Sequence, residues 1–319
     1  MPDPTPRNPD RVGARLLLVL LSLAWGLSWP VMRIALDEVT PWTLRALGYL
    51  TGTLFLFGVV WLKRRTAASP SRGLALPSPT TYLHAIVSAL LNVVGFGLFS
   101  TFAQLHAMTS RVSIIAYSMP VWASLLAWLL LGERLTRWSI LGLALCVAGL
   151  AVLLSSIGAG PPLGLLLALA SAVTWAAGTV YVKWARIPAD RIVLTGWQLL
   201  ISFAVIAACL VYFDGVPHLW PLRPTTIAAL AFHGVVATGI AYLLWFEIVG
   251  RLTVTAASLG SLCVPVVGIL SSIVLLGERP TAMDAVGFAL IFAAAASVLL
   301  EPATRPHHRQ SCRVKEEPQ

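Results

Sequence analysis

The chain has 319 residues, 58% of them hydrophobic and only 11% charged, with a mean hydropathy of +0.83. A soluble domain covers its surface with roughly 25% charged residues, which excludes a water-soluble enzyme and a disordered scaffold alike. The net charge of +9 comes without a basic, aromatic-interleaved domain, so no nucleic-acid surface is expected and the chain reads as an integral membrane protein.

A hydrocarbon core of about 30 Å takes about 20 apolar residues of helix. By that measure the sequence predicts an all-α membrane fold of ten transmembrane helices, at 14–34, 42–62, 82–103, 112–131, 138–157, 163–183, 191–213, 226–246, 253–276 and 284–300. Residues 1–13 are read as a cytoplasmic N-terminal tail and 301–319 as a disordered cytoplasmic tail. Arg7, Arg11 and Arg15 precede the long apolar run of span one. Its apolar run exceeds the roughly 7–15 residues of a secretory leader, so the helix is read as retained. No segment alternates with the period of two that a membrane barrel needs. With both termini cytoplasmic, 17 of the 22 Lys and Arg fall inside, leaving Arg33, Arg45, Arg111, Arg223 and Arg279 at the opposite face, as the positive-inside rule asks. Cys146, Cys209 and Cys263 lie in spans and Cys312 in the tail. They have no metal-ligand spacing, and with only the adjacent pair His307-His308 in the tail, neither metal nor cofactor is expected.

The two halves of the chain resemble each other. Residues 112–154 laid on 257–299 without gaps match at 16 of 43 positions. The anchors are Ser113/Ser258, Pro120/Pro265, the repeated Leu-Leu-Gly-Glu-Arg at 130–134 and 275–279, Thr136/Thr281 and Gly142/Gly287. Trp25 answers Trp175 more loosely. The plan is five helices plus five, at 14–157 and 163–300. An odd number of spans forces the two units to insert in opposite senses, so they are expected to form inverted repeats, the layout of many secondary transporters, with a site near the midplane at the repeat seam.

Ten spans, Trp25-Gly26, Pro41 opening span two, and Pro120 followed by Leu-Gly-Glu-Arg-Leu-Thr, with Pro265 and Leu-Gly-Glu-Arg-Pro-Thr as a second copy, resemble the drug/metabolite transporter superfamily, EamA type. The resemblance covers residues 14–300. It implies no ATP use and export of small metabolites across a bacterial inner membrane. Members usually carry an arginine two helical turns beyond the span-two proline; here that position is Gly48, followed by Tyr49. The departure, with Trp25 and Arg33 ahead of it, is similar to the aromatic amino-acid exporter branch.

Polar groups inside a bilayer are costly and usually face the bundle interior. Span one carries Ser22, Trp25 and Trp29 on one face, and Asn92, Thr174, Ser202, Pro120 and Pro265 fall near mid-depth at the helical rise of ~1.5 Å per residue. The candidate substrate-binding set is Trp25, Tyr49, Tyr82, Asn92, Tyr117, Trp175, Trp197, Gln198, His233 and Tyr242. For Trp25 and Trp175 a cavity role and tight core packing both fit, and for Asn92 a helix clasp and a substrate contact both fit. His233 reads as a satisfied core histidine or as a group that titrates. Pro120 and Pro265 remove an intrahelical hydrogen bond at matching depths and are candidate hinges. Glu133, Asp190, Glu247, Glu278 and Asp284 all sit at or near span ends and no Lys or Arg is placed centrally. A charge-poor site of this kind suits neutral or zwitterionic solutes with apolar bodies. Spans five and ten, almost wholly apolar, read as a supporting or dimerising pair. The expected activity is alternating-access transport of amino acids, aromatic ones included, with other neutral metabolites or drugs as the alternative. An intramembrane enzyme lacks Gly-x-Ser-x-Gly, His-Glu-x-x-His or a phosphate loop, and a channel lacks charged rings. Expected partners are the bilayer and a small-molecule substrate, in a monomer or homodimer.

Overall fold

The computed structural model describes residues 8–66, 73–156, 162–217, 219–251 and 262–299. Both tails, with His307, His308 and Cys312, and the first part of span nine, with Ser258 and Ser261, lie outside the described residues.

Apolar runs of the predicted lengths fold as helices throughout. Among the described residues these are α1 (Asn8–Ala35), α2 (Pro41–Thr66), α3 (Pro79–His106), α4 (Thr109–Leu131), α5 (Arg137–Ser155), α6 (Leu163–Ala185), α7 (Arg191–Phe213), α8 (224–251), α9 (Cys263–Leu276) and α10 (Ala282–Leu299). Nine are long and apolar enough to cross a membrane. The shorter α9 is apolar as well, and residues 252–261 ahead of it are outside the described set. Among the described residues, short turns at 36–40, 107–108, 132–136, 186–190 and 277–281 reverse the chain between spans. The bundle end at which α1 begins is called proximal below; the turns at 36–40, 107–108 and 277–281 lie at the distal end.

Helix boundaries follow from capping chemistry. Ser78, Thr136 and Asp190 accept backbone N–H groups at the starts of α3, α5 and α7, satisfying donors that have no partner inside the helix. The two Gly-Glu-Arg turns are alike in backbone. Gly132 (φ 67°) and Gly277 (φ 65°) close α4 and α9 in the left-handed conformation, which an L side chain adopts only with strain.

Three helices are irregular inside the span. α3 opens into a π-helical segment at Ala89–Gly95 and α8 into another at Phe232–Ile240, the wider coil that recurs at functional sites. α4 breaks into Thr109–Ala116 and Met119–Leu131 around Tyr117 and Ser118. Pro120 has no N–H to continue the ladder back to Ala116, and it sits instead in the first turn of the new segment, where a missing donor is harmless. Pro265 likewise lies near the start of the described α9.

The helices pair closely where small residues let backbones approach. α5 and α10 meet through Gly142, Gly149 and Gly287; a Cβ at Gly149 would lie 2.7 Å from Ile291 Cγ1 and 3.1 Å from the Gly287 carbonyl. α1 packs on α9, α2 on α7, and α6 on both α3 and α4. The α5–α10 pair therefore forms a layer of its own beside the other eight helices, and only Leu299, at its end, reaches the interior cavity.

Candidate functional site

A cavity of about 460 Å³ opens between α1, α2, α3, α4, α6 and α8. Of the ten candidate binding residues, Trp25, Tyr49, Asn92, Tyr117, Trp175, His233 and Tyr242 form part of its wall, as does Pro120. The irregular helix segments put them there: Asn92 and Val93 come from the π segment of α3, His233, Ala237 and Thr238 from that of α8, and Tyr117 from the break in α4. A carbonyl within each π segment accepts from a neighbouring helix. Tyr49 Oη donates to Val93 O at 2.8 Å, and Trp25 Nε1 to Ala237 O at 3.1 Å. Asn92 Nδ2 donates to Trp175 O at 3.0 Å, so this amide clasps α3 to α6 and also faces the cavity.

Aromatic rings supply most of the wall. Trp25 meets Tyr242 edge to face at 6.1 Å and Trp245 at 5.9 Å with the rings tilted by 42°. On the facing side Phe96 packs against Trp175 at 4.9 Å and Trp29 at 6.4 Å. Such edge and offset geometries are the favourable ones for aromatic pairs, and they leave ring faces that suit an apolar or aromatic ligand.

Arg45 departs from the sequence reading, which placed it at the non-cytoplasmic helix end and left the centre free of cations. It is 5% exposed and lines the cavity. Nε donates to Thr101 Oγ1 at 2.5 Å, Nη2 to Ser100 Oγ at 3.0 Å, and Nη1 lies 3.5 Å from His233 Nε2. Residue rise measures the depth of the Cα alone, and here the long side chain turns inward instead of reaching for the interface. Gly48, one turn on, is where the family resemblance expects an arginine, and it has no room for one. A Cβ there would lie 2.9 Å from His233 Cδ2.

Tyr82, Trp197 and Gln198 lie outside the cavity wall. Trp197 Nε1 donates to Leu74 O at 2.6 Å, Tyr82 Oη accepts from Leu76 N at 3.1 Å, and the two rings meet edge to face at 5.0 Å. Together they fasten the segment before α3 at the proximal end. Gln198 Nε2 donates to Ser88 Oγ at 2.8 Å and clasps α7 to α3. Pro265 is buried in α9 away from the cavity. Besides Arg45, the candidate set missed Phe96, Thr238 and Trp245. The signal that could have found two of them is helical spacing, since Phe96 and Trp245 lie four and three residues beyond Asn92 and Tyr242.

Carboxylates join the first five helices to the last five at the distal end. Glu278 accepts from the backbone N–H groups of Thr109 and Ser110 at the start of α4, a favourable site for an anion. Asp284 takes both prongs of Arg111 at 2.8 and 3.0 Å and also accepts from Ser156. Glu38 accepts from the Thr226 hydroxyl, the Arg223 backbone N–H and the Arg223 guanidinium at the start of α8. These bonds, the Thr226 hydroxyl first, hold the Glu38 carboxyl below the usual carboxylate range against its desolvation. At the proximal end Lys183 reaches Glu133 at 2.6 Å, with side chains 61% and 44% exposed, and the Trp197–Leu74 and His84–Tyr181 bonds join the same two halves.

Comparison with known proteins places this geometry among transporters. The model of the EamA-like transporter family matches twice, at residues 13–155 and 162–300. An uncharacterized transporter, YvbV, of Bacillus subtilis (strain 168) is 30% identical over 86% of this chain and 88% of its own. A probable amino-acid metabolite efflux pump of Escherichia coli (strain K12) is 28% identical over 86% and 91%. A probable terminal-alkyne amino-acid exporter of Streptantibioticus cattleyicolor is 25% identical over 86% and 89%. A solved crystal structure, 26% identical, superposes with a TM-score of 0.61 over 90% of this chain and 96% of that one. With one family model accounting for both halves of a multi-pass helical membrane bundle, the chain belongs to the EamA-like transporter family.

Proposed function

We propose that this transporter is a secondary carrier of amino acids and related small metabolites, exporting or exchanging them across a bacterial inner membrane by alternating access, with both termini cytoplasmic. The observation that carries the reading is an aromatic-walled cavity on which both halves of the chain converge, with carboxylates tying the two halves together at the distal end. The relatives named for amino-acid efflux support the substrate class. In this reading 14–157 and 163–300 are inverted five-helix repeats. Matching features support it: a π segment in the third helix of each half, a glycine-closed fourth helix, and a proline at the start of the segment that glycine closes. Glu133 and Glu278 are the same position of the two Gly-Glu-Arg turns, yet one is exposed and the other holds two backbone N–H groups. That inequality fits one state of a two-state cycle, in which Pro120 and Pro265 serve as bending points.

Counterflow in proteoliposomes tests this. Vesicles loaded with unlabelled amino acid should accumulate labelled amino acid transiently, with saturation. Flux that neither saturates nor responds to the internal load overturns the carrier reading in favour of a channel.

A further inference from the structure

We propose that Arg45, held in place by Thr101, Ser100 and His233, is a carboxylate anchor at one corner of the cavity, gripping a solute whose apolar or aromatic body lies against Trp25, Trp175 and Tyr242. The proposal rests on the carrier reading above and names the group its site recognises.

Arg45 is a buried cation without an anion. Its hydrogen-bond partners are neutral, and among the described residues no carboxylate lines the cavity. A charge buried at a span is costly unless something offsets it. The guanidinium is nonetheless held in one orientation. Thr101 and Ser100 direct their own hydroxyl protons to the Gly97 carbonyl at 2.7 and 3.1 Å, so each presents a lone pair to Arg45. Five N–H donors less the three used on Thr101, Ser100 and His233 leave two, which face the Tyr49 hydroxyl beside them and a ligand.

His233 holds the guanidinium from a third side. Arginine only donates, so Nε2 accepts from Nη1, and the neutral ring then carries its proton on Nδ1. That N–H is buried and has no hydrogen-bond partner. One carboxylate supplies what Arg45 lacks: negative charge, in the planar two-oxygen geometry a guanidinium matches. The charge count favours a carboxylate over a phosphate, since among the described residues a single cation faces the cavity and a dianion would be left half compensated.

Aromatic rings line the rest of the wall, which sets the order of recognition: a charged head at Arg45 and an apolar body against the rings. The amino group of a solute is not required by these contacts.

The test uses the purified full chain and four probes with one ring: phenylalanine, phenylalanine amide, phenethylamine and 3-phenylpropionate. Binding is read from tryptophan fluorescence, since Trp25, Trp29, Trp175 and Trp245 line the cavity, and exchange from counterflow. The two carboxylates are expected to bind about 30-fold more tightly than the amide and the amine, the scale of a charged hydrogen bond lost without replacement. Arg45→Gln should abolish that preference and Arg45→Lys should keep part of it. Arg45→Gln is scored only where its melting temperature shows a folded protein; otherwise the wild-type series and Arg45→Lys decide. Equal binding of all four probes by the wild type, or a preference that survives in Arg45→Gln, overturns the anchor while leaving the carrier reading intact. Counterflow with none of the four overturns the amino-acid reading and the anchor with it.

Discussion

Arg111 and Asp284 form a two-pronged ion pair across the chain, Nε to Oδ1 at 2.8 Å and Nη2 to Oδ2 at 3.0 Å, with the Asp284 side chain wholly buried. It joins the first turn of α4 to the first turn of α10 and therefore one half of the bundle to the other. Asp284 also accepts from the Thr281 backbone and hydroxyl, so its position is set from both sides.

Removing Asp284 leaves Arg111 without its anion in a nearly closed site. Asp284→Ala is expected to destabilise the protein by about 3 kcal/mol and to lower the melting temperature in detergent. Glu278→Gln, which keeps an acceptor but loses the charge at a helix N-terminus, should cost less, roughly 0.5–1 kcal/mol. Equal melting temperatures for wild type and Asp284→Ala would show that the pair contributes nothing to closure.

Glu38 gives the distal end a pH dependence of known sign. Its carboxyl is held below its ordinary pKa in the folded protein, so the unfolded chain binds the proton more readily. The stabilisation is full above the ordinary carboxylate range and is lost as pH falls through that range toward the folded value. Acidification should therefore lower the melting temperature of the wild type toward that of Glu38→Gln, and the gap between the two should be widest near neutral pH. A gap that is constant across this range contradicts the assignment.

Two glycine-to-alanine changes separate packing from the site. A Cβ at Gly149 would press on Ile291 and the Gly287 carbonyl in the α5–α10 seam. Gly149→Ala should cost roughly 1–3 kcal/mol and leave the relative affinities of different solutes unchanged. A Cβ at Gly97 would overlap the Tyr49 hydroxyl and lie 3.4 Å from Arg45 Nε. Gly97→Ala should displace Tyr49 from the Val93 carbonyl and disturb the guanidinium, weakening ligand binding at least tenfold, a loss on the scale of one hydrogen bond to a charged group. Solute binding by titration, with melting temperature as control, distinguishes them.

Trp25→Phe keeps a ring against Tyr242 and Trp245 but removes the indole donor to the Ala237 carbonyl. A loss of about 1 kcal/mol in stability is expected, with ligand affinity down severalfold. Unchanged affinity would exclude Trp25 from the binding surface.

Much of this architecture is legible in the sequence because hydropathy and turn chemistry are local. The two glycines of the Gly-Glu-Arg turns mark helix ends whose left-handed backbone only glycine adopts freely, and Pro120 marks the break in α4. Trp25, Asn92, Trp175 and His233 stand out because indole, amide and imidazole groups at mid-span need partners. The rest depends on long-range placement. Nothing local signals the π segments that turn Asn92 and His233 toward one cavity. Arg45 looks like an interfacial cation until the hydroxyls of Ser100 and Thr101, more than fifty residues later, are seen to hold it inside. Tyr82 and Trp197 carry the right chemistry for a binding site, but their partners are the Leu76 N–H and the Leu74 carbonyl of the preceding segment.

The claim on which the account stands is that one cavity is reached in turn from the two ends of the bundle. Spin labels in a cysteine-free background, one pair at Thr40 and Thr225 on the distal end and another at Arg134 and Trp184 on the proximal end, measure it by electron–electron distance with and without transported solute. All four positions are exposed. The account expects opposite changes, the distal pair lengthening in the population whose proximal pair shortens. Two pairs that widen together, or that stay fixed while counterflow proceeds, would contradict it.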